Sequence, residues 1–212
     1  MDQTKFDNLI TRFTTALEGA LARLPADFCS GFKYTSTGMN YTHPIILAEL
    51  AKIVANESDV RHVGVDVRLN WQGNESGLRS REKCRFQPDV VGFDDAFRPM
   101  IFVDYESPNS SDERIIHKDI GPYLRWREVT LHSAPYLLFT TLPEVKSPKW
   151  EVRYTSDAGY GAAAKGKKEE VQNNPFQFWK SVWRLAPEIR NLRWVAILNI
   201  NCQSVSRVRF DE

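Results

Sequence analysis

The sequence predicts an α/β domain in which a mixed central sheet is flanked by helices. Three observations predict it: apolar residues recur at helical spacing near the N-terminus, alternate with polar ones between Val60 and Trp71, and gather into a short continuous run at Pro135–Leu142. With 212 residues, 42% hydrophobic and 26% charged, the chain suits one domain around a single core.

Each element follows from local pattern. Phe6, Leu9, Ile10, Phe13, Leu17, Leu21 and Leu24 form one stripe on a helix over about Thr4–Leu24, ended by Pro25. A Gly/Ser/Thr-rich loop covers Ser30–Asn40, and Thr42 is the expected N-cap of a helix over His43–Asn56. Val63, Val65, Val67, Leu69 and Trp71 then alternate with His62, Gly64, Asp66, Arg68 and Asn70, a half-buried strand. Gln72–Gly77 turns the chain. Lys83–Phe93 and Pro99–Glu106 read as two further strands joined at Asp94-Asp95, which makes an antiparallel meander of three. A helix over about Asp112–Arg127 is expected to kink or break at Gly121-Pro122, because proline lacks the amide donor. Pro135–Leu142 is a buried strand. Trp150–Tyr154 adds an edge strand, and Gly159–Glu170 reads as a mobile surface loop. Asn174-Pro175 starts a helix that Pro187 stops, and Trp194–Asn201 with Val205–Phe210 close the chain as strands.

Composition excludes several classes. The 28 Lys+Arg against 27 Asp+Glu leave a formal charge of +1, so any nucleic-acid binding must rest on a local patch. No apolar run approaches the roughly 18 residues of a membrane span. The N-terminus has no basic head followed by an apolar block, so the expected compartment is the cytoplasm. Cys29, Cys84 and Cys202 are odd in number and widely spaced, which points to reduced thiols rather than a disulfide framework or thiolate zinc site. His43, His62, His117 and His132 are too scattered for a metal pair, and the chain has no Gly-x-Ser-x-Gly elbow, Walker loop or dinucleotide glycine fingerprint.

Chemistry concentrates in Pro88-Asp89, then Asp104-Tyr105-Glu106-Ser107-Pro108, then Lys118. Strand side chains repeat every two residues, so Asp104 and Glu106 share a face, and pairing with the strand of Asp89 would bring three carboxylates together. Clustered carboxylates repel one another unless a cation sits among them, and oxygen donors suit Mg²⁺, with Mn²⁺ as substitute. On a helical wheel, Glu49 is bracketed by Ile45, Ile46 and Ile53, so its carboxylate points with the apolar face; the competing reading puts it at the edge of that face, in solvent. Arg79, Arg81, Lys83 and Arg85 alternate toward Asp89. If one strand carries them all, four cations lead a phosphate backbone to the acids; otherwise they are a solvated face.

Pro88-Asp89 followed by Asp104-x-Glu106 on an apolar strand, in the order helix, three strands, helix, strand, resembles the PD-(D/E)XK nuclease superfamily with its restriction-endonuclease-like fold. The resemblance covers about residues 43–142, with additions at both ends, and the Ser107-Pro108 stretch with Lys118 resembles a bacterial branch of it. It implies a metal-dependent DNA endonuclease in which Asp89 and Asp104 hold Mg²⁺ and Glu49 assists. The superfamily's usual lysine stands two residues after the second acid, where this chain has Glu106; the resemblance then implies that Glu106 or Lys118 takes its role. DNA is the implied partner, and cutting both strands suggests a homodimer. The rival expectation is a nuclease-fold module that binds nucleic acid or protein without cutting. A third is an interface of exposed aromatics among Trp126, Trp150 and Trp194.

Overall fold

Asp2 opens the first helix in the computed structural model, which describes residues 1–24, 42–70, 85–106, 120–141, 149–155, 161–167, 193–201 and 203–208. Its Oδ1 accepts from the Lys5 amide at 2.8 Å, satisfying one of the free donors at the start of α1 (Gln3–Leu21). The stripe is the expected one, with Phe6, Leu9, Ile10, Phe13, Leu17 and Leu21 buried. The helix ends at Leu21, with Ala22 as C-cap, before Pro25 is reached. Helix α2 (Thr42–Ala55) takes Thr42 as its first residue and buries Ile46, Leu50, Ile53 and Val54.

Six strands form one mixed sheet in the order β1-β4-β5-β6-β9-β10. Strands β1 (His62–Val65), β4 (Val90–Phe93) and β5 (Pro99–Glu106) pair antiparallel as the expected meander. The chain then crosses through α3 (Gly121–Thr130), so β6 (Tyr136–Thr141) runs parallel to β5. Strand β9 (Val195–Asn201) is parallel to β6, and β10 (Ser204–Arg207) turns back on β9.

Alternation along these strands sorts the core onto two faces. Val90, Val103, Tyr105, Leu137, Phe139, Ala196 and Leu198 share one cluster with α1 and α2. The intervening Phe102 and Tyr136 meet Phe86, Tyr123 and Trp126 on the α3 side, where ring centroids lie 4.8–6.4 Å apart. At the far edge α1 is tied to β10: Arg207 and Asp7 pair at 2.6 Å, and Glu18 accepts from the Val205 amide at 2.8 Å.

Several expectations are corrected. The run from Val60 to Trp71 is two strands, because Asp66 takes a left-handed φ of 54° and ends β1; β2 (Leu69–Asn70) pairs instead with β3 (Arg85–Phe86) in a small separate sheet. Lys83–Phe93 is likewise split at Gln87-Pro88-Asp89. Helix α3 is described from Gly121, with Ile120 before it also helical in backbone; residues 112–119 of the expected helix lie outside the described residues. Trp150–Tyr154 belongs to β7 (Lys149–Thr155), which pairs with β8 (Gly161–Lys167) in a second small sheet, where a loop was expected. Trp126 is buried at 5% exposure and Trp194 packs edge-on against Phe6 at 5.6 Å, so neither belongs to an exposed aromatic surface. The Ser30–Asn40 loop, the helix after Asn174 and all three cysteines lie outside the described residues.

Candidate active site

Antiparallel pairing of β4 with β5 determines what meets at this end of the sheet. Val91 lies opposite Phe102 and Val90 opposite Val103, so the next pair in register is Asp89 and Asp104. Asp89 is not in the ladder; it is the bend residue immediately before β4. The last rungs are made by carboxylates instead. The Asp89 amide donates to Asp104 Oδ1 at 2.6 Å, and the Tyr105 amide donates to Asp89 Oδ2 at 2.8 Å. Each acid therefore grips the other strand's backbone.

Two neighbours complete the grip. The Tyr136 hydroxyl donates to Asp104 Oδ2 at 2.6 Å from β6, across the parallel pairing. The Asp66 amide donates to the Asp89 carbonyl at 2.8 Å, which the left-handed turn at Asp66 makes possible, and Asp66 Oδ1 accepts from Gln87 Nε2. Aspartate tolerates that backbone region better than most residues. Neither Tyr136 nor Asp66 stood out in the sequence. The available signal for Tyr136 was a hydroxyl inside an apolar buried strand, since such a group requires a partner.

Asp104 is buried at 4% exposure. Burial, the nearby charge of Asp89 and, more weakly, that of Glu106 push its carboxyl up to about 7, against the pull of the Tyr136 and Asp89 donors. The conditions that favour a proton here, two acids close together with little water, equally favour a small hard cation. Asp104 has four lone-pair sites, of which the two hydrogen bonds use two. Mg²⁺ commonly takes one or two carboxylates and completes its shell with water and phosphate. On these grounds the pair fits Mg²⁺ or Mn²⁺. Among the described residues no set of three His, Cys, Asp or Glu side chains is placed to hold one ion.

The other candidates fall into three positions. Glu106, half-buried, ends β5 two residues beyond Asp104 and on its face. Glu49 lies on α2, which packs on the sheet face of Val103 and Tyr105, the face opposite Asp104, and it pairs with Lys52 at 2.6 Å. Arg85 sits in β3, so no continuous strand carries its alternation through to Asp89. Arg79, Arg81, Lys83 and Lys118 lie outside the described residues.

Comparison with family models, curated proteins and solved structures found no match to this chain. Among the described residues, no helix is long and apolar enough to cross a membrane.

Proposed function

We propose that this chain is a metal-dependent DNA endonuclease of the PD-(D/E)XK type, with the restriction-endonuclease-like fold. The observation that carries the reading is the reciprocal contact of Asp89 and Asp104, acids 15 residues apart in sequence that meet at the end of two paired strands. The order of helix α2, meander, helix α3 and parallel strand β6 agrees with it. So does the position of Asp104 and Glu106 toward the C-terminal end of β5, the end at which α/β sheets commonly bind ligands.

Asp89 and Asp104 would hold Mg²⁺ or Mn²⁺, which when bound supplies Lewis acidity toward a phosphate oxygen and acidifies a water. Tyr136 and the Asp89 amide hold the Asp104 carboxyl in one orientation. Glu106 would take the proton of the attacking water, or Lys118 would orient that water and offset charge on the phosphate.

Asp104→Ala is expected to abolish Mg²⁺-dependent nicking of supercoiled DNA and to weaken Mn²⁺ binding in calorimetry. Undiminished cleavage by that variant would remove the site. One observation favours a second reading, a module that binds without cutting: both Asp104 oxygens already accept hydrogen bonds, so the pair also works as a structural clasp. Absence of Mn²⁺ binding at millimolar metal, with no cleavage of any DNA form, would select that module.

A further inference from the structure

The small sheet formed by β7 and β8 segregates its residues completely by character. Register pairs Lys149 with Lys167, Glu151 with Lys165 and Arg153 with Ala163, while Trp150, Val152 and Tyr154 pair with Gly166, Ala164 and Ala162. Cross-strand partners share a face and neighbours along a strand alternate. Every charged residue of the ribbon therefore falls on one face, four cations with a single acid, and every aromatic falls on the other. In a chain whose total charge is +1, that face is a strong local concentration of positive charge.

The ribbon's dimensions match a duplex. Seven residues per strand extend roughly 20 Å, and the two strands lie about 4.8 Å apart. The major groove of DNA is about 12 Å wide, admits a two-stranded ribbon, and is bordered by one phosphate charge per roughly 1.7 Å of axis. Covalent reach limits the distance from the acids. Lys149 follows Thr141, the last residue of β6, by eight positions, so the two lie within about 30 Å. Thr140 of β6 is in register with Glu106 of β5. The Lys149–Lys167 end of the basic face thus lies within about one turn of duplex, roughly 34 Å, from the end of β6.

We infer that the β7–β8 ribbon is a DNA-holding arm whose basic face, Lys149, Arg153, Lys165 and Lys167, binds the phosphate backbone of a duplex while the Asp89–Asp104 pair engages the bond to be cut. This rests on the nuclease reading and adds the element that holds the substrate. Contacts to phosphate position DNA without reading sequence, so the arm contributes affinity rather than base preference.

The test uses the full chain with Lys149→Gln, Arg153→Gln, Lys165→Gln and Lys167→Gln combined, and separately Glu151→Gln. Binding to a 20-base-pair duplex is followed by fluorescence anisotropy across a salt series, and Mn²⁺ binding by calorimetry. Each lost phosphate contact lowers the salt slope by about 0.9, so the fourfold variant should bind on the order of tenfold or more weakly, with a slope shallower by roughly 3 to 4. Its Mn²⁺ binding should match the unaltered chain, and Glu151→Gln should bind duplex more tightly. If the unaltered chain binds both Mn²⁺ and duplex but neither variant changes duplex affinity or slope, the arm is wrong and the nuclease reading stands. If the unaltered chain binds neither, both are overturned.

Discussion

Asp104 is held where an ionised carboxylate is costly, and its hydrogen bonds do not fully offset that cost. With its carboxyl raised to about 7 from an ordinary 3.8, the folded chain keeps a proton at pH values where the unfolded chain has released it. Folding takes up that proton between roughly pH 4 and 7, so this residue makes stability fall as pH rises through that window, the reverse of a salt-bridged aspartate. Asp104→Asn imitates the protonated acid, and Tyr136 can turn its hydroxyl to accept from the amide. The variant should melt above the unaltered chain at pH 8 and close to it at pH 5; equal melting differences at both values would show that Asp104 keeps one protonation state across that range. Asp89 and Asp104 were legible in the sequence because strand period and the span between them suffice to bring them together. Tyr136 and Asp66 were not, because the first acts across a parallel pairing and the second through its backbone amide.

Among the elements, β4 is packed at Gly92 against Val54 of α2, Ile101 of β5 and Val60. A Cβ there would stand 2.8 Å from Ile101 and Val60 and 2.9 Å from Val54, all β-branched side chains with little freedom to move aside. Gly92→Ala should therefore destabilise by about 1–3 kcal/mol, read as a lower urea midpoint with an unchanged slope. An unaltered midpoint would mean that α2 can shift on the sheet. The corrected elements have a common cause. Alternation through Val67 and Leu69 predicted a continuous strand, yet the hydrogen bond from Asp66 to the Asp89 carbonyl closes β1 and frees the chain to begin another sheet. The Gly/Ala/Lys stretch of β8 looked like a loop because its residues have weak strand preference; pairing with Lys149–Thr155 supplies what propensity does not.

At the scale of the whole molecule, a cation that binds the folded chain alone stabilises it by mass action. Mn²⁺ at a hundred times its dissociation constant is worth about 2.7 kcal/mol, which for a chain of this length raises Tm by roughly 5–10 °C. The rise should be larger at pH 8 than at pH 6, since a proton on Asp104 competes with the cation; no rise at either pH, followed by differential scanning calorimetry, would argue that the acids are only a clasp. Local periodicity alone settled that α1 and α2 bury one stripe each, that β4, β5 and β6 are strands, and that two acids lie within strand reach of each other. Those properties depend on neighbours a few positions away, which the order of residues specifies directly. Tertiary structure alone decided that Glu49 faces away from Asp104, that the basic run is cut before Asp89, and that Tyr136 reaches the acid from a third strand. These depend on which faces and edges pack together, and that choice belongs to the burial of the whole core.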